Sequence, residues 1–405
     1  GVDGLRERRL DRPWVRRDGK LRQASWAQAF AAIATRLAAP GTTAGALLGD
    51  LACLEETVAL KDLMTGLGSA LVECRLDGAA YSGAPANWRF NTLFTGLEQA
   101  DAILLVGTNP RQDAPLLNTR IRKAVRGLDA EVFGIGPEAD LTYPVTWLGD
   151  DLAALNRLPA AFLDAERPAL LLGSRAATSS VLPVALRLPL SRDDWQGFNI
   201  VHHAASRVGA MDVGFHHPGG RAEVAADVLF LMGADDTDFA PFAGAFKVYV
   251  GSHGDRGAAE ADVILPAAAF TEQSGTWVNM EGRVQRSLRA VFPPGDAREG
   301  WTIFRALADV LGVRLPYDSR EALRARIGSE WPHLGQPGLV MMGAPALALE
   351  GAEASPGPAG PVPRRQSGFY DSNPILRASP TMAACIREIV NGLPPVEAPI
   401  MEAAE

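Results

Sequence analysis

Residues 262–286, DVILPAAAFTEQSGTWVNMEGRVQR, decide the fold class. Val263-Ile264-Leu265 is a short, largely β-branched apolar run closed by Pro266. It predicts a buried strand stopped at its end, because proline lacks the amide a ladder needs. Residues 271–276 are polar and turn-prone, and Trp277-Val278-Asn279 and the turn Glu281-Gly282-Arg283 follow. A buried strand feeding a long polar loop is how open α/β sheets present a ligand surface at the carboxyl ends of their strands.

Upstream, the same logic repeats. Ile103 to Val106 is wholly apolar and ends in Gly107-Thr108-Asn109-Pro110. Next comes a helix with Leu117, Ile121, Val125 and Leu128 on one face and Arg120, Arg122, Lys123 and Arg126 on the other. Asp113 is placed to cap it, and residues 131–136 read as the next strand. Strand, glycine turn, amphipathic helix and strand make a βαβ unit and predict a parallel sheet. Residues 168–173 read as one more strand of that kind.

The run ADAILLVG (100–107) is echoed by ADVLFLMG (226–233), with Asn109 matching Asp235. Two such units predict an α/β protein with two related Rossmann-like parallel-sheet domains, although any buried parallel strand carries a similar pattern. The candidate cofactor-binding residues of the cleft between them are Gly107, Thr108, Asn109, Gly233, Ala234 and Asp235, with loop 271–276 alongside. Turn amides there suit phosphate, but Asp235, Asp236 and Asp238 repel a pyrophosphate unless an arginine offsets them. The expectation is a vestigial cleft, in which Asn109→Ala or Ser274→Ala costs little.

The remaining elements follow in order. Residues 1–24 are basic and broken by Pro13 and Gly19, an arm or lead-in hairpin. Ser25 and Gln28 have capping-box spacing ahead of a helix that turns Trp26, Phe30, Ile33 and Leu37 inward. Residues 46–50 read as a strand, 54–67 as a helix and 72–74 as another strand. A helix near Trp301, Phe304, Ala308 and Leu311 closes the folded region, and Asp318-Ser319 caps one more. Residues 335–363, rich in Gly, Ala and Pro, predict an extended or partly disordered arm, and 381–391 a short final helix.

Composition excludes several classes. A net charge of −8 attracts neither nucleic acid nor an anionic membrane. No apolar run approaches the ~18 residues of a membrane span, no signal or transit segment opens the chain, and Gly1 in place of Met predicts a processed or excised piece. Cys53, Cys74 and Cys385 stand far apart without a C-x-x-C pair, so they predict inert thiols rather than a disulfide, zinc or iron–sulfur pattern. Neither G-x-G-x-x-G nor G-x-x-x-x-G-K-[ST] occurs. His202-His203, His216-His217 and His253 lack the spacing of a metal site and are expected on the surface or in loops. Ser274 sits in no nucleophile elbow, and Glu272 has no identifiable mate, so no catalytic residue is assigned.

ADVILPAAAFTEQSGTWVNMEGRVQ (261–285) resembles the ADVILP…E…GT…N.EGR.Q segment of the molybdopterin oxidoreductase superfamily. Residues 91–125, 3–20 with Ser25-Trp26, 73–79, HHAASRVGAMDVGF (202–215) and YDSNPILRASPTMAAC (370–385) resemble, within it, the family of the large peripheral-arm subunit of respiratory complex I, the NADH:quinone oxidoreductase. The resemblance implies two Rossmann-like domains, one inserted in the other. Residues 25–78 and 180–315 then form a discontinuous domain and 79–179 the inserted one, with arms at 1–24 and 316–405.

It implies a C-terminal scaffold portion that is non-catalytic alone and carries no molybdenum cofactor. Iron–sulfur clusters belong to an absent N-terminal part. The partners are other subunits of the complex I peripheral arm, with no nucleic acid and no membrane span. The implied location is the cytoplasmic face of a bacterial inner membrane, or the matrix face in a mitochondrion. In molybdenum-bearing relatives a Cys, selenocysteine, Ser or Asp binds the metal just after the stretch matching 72–74. Cys74 falls slightly before that point, with Asp77 and Ser82 nearby. The alternative is a cofactor-binding fragment related to formate dehydrogenase.

Overall fold

Two sheets, each built on a run of parallel strands, carry the chain, and the strands of one are inserted in sequence between strands of the other. The computed structural model describes residues 1–338, 340, 357–363 and 368–394. The strands β1 (Trp14–Arg17) and β2 (Lys20–Gln23) form a hairpin, and β3 (Ala44–Leu48) and β4 (Val72–Glu73) flank the helix Leu54–Gly66. The strands β5 (Ala102–Val106), β6 (Glu131–Ile135), β7 (Thr146–Trp147) and β8 (Pro168–Gly173) follow. A small hairpin, β9 (Ser191–Arg192) and β10 (Trp195–Gln196), leads into β11 (Phe198–Val201). Then come β12 (Val228–Met232), β13 (Phe246–Gly251), β14 (Val263–Pro266) and the hairpin β15 (Thr276–Val278) and β16 (Val284–Arg286).

The first sheet runs β2-β1-β14-β13-β12-β3-β4 and the second β11-β8-β5-β6-β7. The second is parallel throughout. The first is parallel from β14 to β4, and the β1–β2 hairpin is added antiparallel at its edge. Of the two readings of residues 1–24, residues 14–23 take the lead-in hairpin, and it extends a sheet rather than standing off as an arm. The strand β11 pairs with β8 in the second sheet, so that sheet runs beyond the expected boundary at residue 179.

The central strands are apolar on both faces because both faces are covered, as parallel sheets require. In β5, Leu104 and Val106 face the main core while Ile103 and Leu105 face a second cluster on the other side. In β12, Phe230 and Met232 enter the main core while Leu229 and Leu231 meet an outer cluster. The expected capping box is present: Ser25 Oγ accepts from Gln28 N (3.2 Å) and Gln28 Oε1 accepts from Ser25 N (3.0 Å).

The folded region continues past residue 315. Ser319 caps the helix Arg320–Glu330, whose Leu323 and Ile327 are buried. Arg324 reaches Glu55 and Arg326 reaches Asp62, each at 2.7 Å. The arm expected at 335–363 lies largely outside the described residues. The final helix Pro380–Cys385 continues through Ile386–Val390. Among the described residues, no helix is long and apolar enough to cross a membrane.

Candidate functional site

The echoed turns have the same construction. Gly107 and Gly233 both take left-handed backbone angles, φ +62° and +57°. Each packs its carbonyl against a glycine at the end of the neighbouring strand. A Cβ at Gly173 would lie 2.2 Å from Gly107 O, and one at Gly49 would lie 1.8 Å from Gly233 O. No side chain fits at either approach, so the strand ends of both sheets close by the same means.

At the second sheet, Gly107, Thr108 and Asn109 line a cavity of about 390 Å³ with Arg175, His203 and Phe369. Asp113 does not cap the long helix Pro115–Leu128. It turns back and accepts from Asn109 N (2.7 Å) and Thr108 Oγ1 (3.0 Å), because Pro115 starts that helix behind Ala114. Asn109 caps the short helix Pro110–Asp113, its Oδ1 accepting from Arg111 N (3.1 Å). Val362 comes from the other side, with Cγ1 3.1 Å from where a Gly107 Cβ would stand.

At the first sheet, Gly233 and Asp235 line a smaller cavity of about 60 Å³ with Asp50, Glu56, Pro374 and Ile375. Ala234 is buried in the outer cluster and is closed to any ligand. Asp235 is buried too, accepting from Tyr249 Oη (2.8 Å) and Gly257 N (2.9 Å). Burial, reinforced by Asp255, pushes its carboxyl up to about 7. Burial likewise pushes Glu56 up to about 7 and Asp50 up to about 6. The two sets of candidate residues thus lie at separate cavities rather than at one.

The offsetting arginine is supplied by the C-terminal segment. Arg377 meets Asp236 at 2.9 and 3.2 Å and Asp255 at 2.6 Å. The helix Pro374–Ala378 buries Ile375 and Ala378, and Ser379 donates to Asp3 (2.7 Å). The segment that includes Val362 and Arg377 therefore touches the strand ends of both sheets, Val362 at one turn and Arg377 at the other. The chain's own tail thus lines the cavities at both sets of strand ends.

Residues 9–310 match the sequence profile of the molybdopterin oxidoreductase family. The chain belongs to this family. It is 38% identical to the NADH-ubiquinone oxidoreductase 78 kDa subunit of Neurospora crassa, covering 95% of this chain and 56% of that one. To the 78 kDa subunit of Candida albicans it is 37% identical, covering 95% and 57%. A bacterial relative, from the NADH-quinone oxidoreductase of Rickettsia bellii, is 36% identical over 95% and 58%. The chain thus spans little more than half the length of the curated relatives it matches. Among solved structures it resembles acetylene hydratase from Pelobacter acetylenicus, with a TM-score of 0.59, 12% identity and 84% of this chain and 67% of that one covered. A chain of the formyltransferase/hydrolase complex from Methylorubrum extorquens gives a TM-score of 0.50 at 18% identity, over 74% and 98%. At those identities the likeness concerns the fold alone.

In a molybdopterin oxidoreductase fold the residues that follow β4 are the ones to test as metal ligands. Asp77 is already taken. Arg207 donates to its two oxygens at 3.0 and 3.2 Å, and the Ser174 hydroxyl donates to it as well. Burial works against the Asp77 carboxylate, but Arg207 and Ser174 outweigh it and hold the group below the usual carboxylate range. Arg207 also donates to Tyr81 Oη. Asp77 follows β4 and Ser174 follows β8, so this cluster bolts the strand ends of the two sheets together. Cys74 is buried, and burial pushes its thiol up to about 12, the reverse of what a thiolate ligand needs. Ser82 lies in the next loop, where its carbonyl accepts from Asn87 Nδ2 (2.8 Å). Among the described residues, no three His, Cys, Asp or Glu are grouped to hold a metal ion. Asp77, held by Arg207 and Ser174, and Cys74, its thiol kept protonated by burial, do not fit the single protein ligand a molybdenum centre of this kind takes.

Three expectations are refined or corrected. His202 lies in a loop, as expected, but is buried there, with Nε2 2.6 Å from Trp88 O, and burial lowers its pKa to about 3. His253 is also buried, with Nε2 2.9 Å from Gly4 O, and burial lowers it to about 4. Glu272 has a mate: Arg9 grips both carboxylate oxygens in a pair 10% and 6% exposed. Sequence reasoning missed Arg9, Arg207 and Arg377 as organising groups. The signal for the last was slight: Asn373-Pro374 and Ser379-Pro380 are helix starts bracketing an arginine.

Proposed function

We propose that this chain is the C-terminal scaffold portion of the large peripheral-arm subunit of the NADH:quinone oxidoreductase. That subunit takes part in passing electrons from NADH toward quinone. The iron–sulfur clusters sit in another part of the longer subunit, and this portion holds its neighbours without doing chemistry. The single observation that carries the reading is the tail lying across both strand ends while Asp77, the candidate metal ligand, is spent on Arg207. The relatives at 36–38% identity over 95% of the chain support the assignment to complex I. Its partners are other subunits of the peripheral arm, at the cytoplasmic face of a bacterial inner membrane or the matrix face of a mitochondrial one.

The same observations weigh against a cofactor-binding, formate dehydrogenase-like fragment. A pyrophosphate at Gly233 meets Asp50, Glu56 and Asp235, and Arg377 of the tail is already engaged by two carboxylates. Elemental analysis and calorimetry with guanine dinucleotides test the reading. The expected result is neither stoichiometric iron or molybdenum nor measurable dinucleotide binding. Micromolar affinity abolished by Asn109→Ala, or one molybdenum per chain, overturns it.

A further inference from the structure

The loop SLRAVFPPG (287–295) that leaves β16 displays its apolar side chains to solvent. Leu288, Val291 and Phe292 are 84%, 54% and 77% exposed, and Phe270 is 42% exposed. Large apolar side chains grouped on a surface mark contact sites more often than isolated ones do. The loop is held in place by its backbone. Ser287 N donates to Gly275 O (2.9 Å), Ala290 N to Thr271 O (2.9 Å) and Val291 N to Thr271 O (3.2 Å). Arg289 N donates to Ser274 Oγ (3.1 Å).

Loop 271–276 beneath is pinned in turn. Glu55 takes the Thr276 amide and hydroxyl, Glu56 takes Gln273, and Arg9 takes Glu272. The cluster is therefore preorganised, and little ordering entropy is left for a partner to overcome.

Its electrostatics run against those of the whole chain. Residues 282–295 contain no acidic side chain, in a protein of net charge −8. Arg283 is matched by Glu281 (3.4 Å). Arg286 and Arg289 are exposed, and among the described residues neither lies within 4.0 Å of a carboxylate. Arg289 lies over the Phe292 ring, 4.3 Å from its centroid. Aromatic and arginine side chains are the groups enriched where protein interfaces concentrate their binding energy.

We propose that Phe270, Leu288, Val291 and Phe292, rimmed by Arg286 and Arg289, form a docking knob for another protein subunit. That subunit offers an apolar pocket with an acidic rim. The complex in which it is sought rests on the functional reading above. A lipid surface is disfavoured. Two arginines attract anionic lipid by only ~1 kcal/mol each, and the remaining charge of the chain opposes approach.

The test uses the chain and, as probe, the other peripheral-arm subunits of complex I purified without their large subunit. Hydroxyl-radical footprinting reads Leu288 and Phe292 with and without the probe. The expected result is at least a fivefold drop in their reactivity on association. Phe292→Asp weakens association at least about tenfold with an unchanged unfolding midpoint, and Arg286→Glu with Arg289→Glu weakens it most at low salt. Association with both residues still fully reactive overturns the knob and leaves the functional reading intact. A chain that never joins the probe overturns the functional reading, and the knob's partner with it. Protection of the loop by phosphatidylserine vesicles or by self-association also overturns the knob, by naming a different occupant.

Discussion

Replacing Arg377 by methionine keeps a long apolar stem and removes the cation that holds the tail at the first sheet. The guanidinium is 10% exposed and its partners Asp236 and Asp255 are 21% and 12% exposed. Breaking a buried pair from one side costs about 3–5 kcal/mol. With this much residual solvent contact, about 2–4 kcal/mol is the reasonable range. The apolar anchors of the segment are Ile375 and Ala378, and a buried isoleucine contributes about 1.5–3 kcal/mol. The loss is thus comparable to the apolar hold on the segment, so the tail detaches while the sheets remain folded.

A change of 2–4 kcal/mol raises the local opening constant roughly 30- to 1000-fold. Amide exchange reads this directly. Residues 373–385 are expected to exchange faster by that factor, while the central strand β12 keeps its wild-type rate. Arg377→Lys, which retains the charge but not the planar fork, falls between the two. Exchange of 373–385 within threefold of wild type in Arg377→Met refutes the reasoning, because the contact then contributes nothing to docking.

Asp235→Asn tests the buried carboxyl. Its pKa rises from an ordinary 3.8 to about 7 on folding, so its stabilisation is complete below pH 4 and is lost as pH rises through 7. The variant should gain on the order of 1–3 kcal/mol over wild type between pH 4 and pH 8, and a pH-independent difference in urea unfolding contradicts this. Arg9→Met strands Glu272 and should cost about 3 kcal/mol by urea denaturation; a loss below about 1 kcal/mol means solvent replaces the partner. Asn109→Ala removes a helix cap and should cost about 0.5–1 kcal/mol, more than a silent surface change, with thermal unfolding as the measure.

Local chemistry is legible in the sequence and distant pairing is not. The strands β5, β8, β12 and β14 announce themselves because both their faces are buried, so apolar runs and terminal glycine or proline suffice to find them. The Ser25 box and the Ser319 cap are likewise complete within four residues. Arg9 and Glu272, by contrast, stand 263 residues apart, and no local period connects them. His202 and His253 read as loop residues because their burial depends on backbone acceptors at Trp88 and Gly4. The candidate turns do stand at strand ends. Ala234 facing away from the cavity and the tail lining both cavities follow from packing that only the assembled fold supplies.

Arg377 lies 122 residues downstream of Asp255 and 141 downstream of Asp236. At synthesis rates of about 5–20 residues per second, roughly 6 to 28 s separate the appearance of these carboxylates from that of their cation. Once β14 is made, ending at Pro266, the first sheet has its strands but still presents an acidic, unclosed edge. Only a chain translated past residue 377 neutralises it. The strand-end edge therefore distinguishes an interrupted chain from one carried to that point.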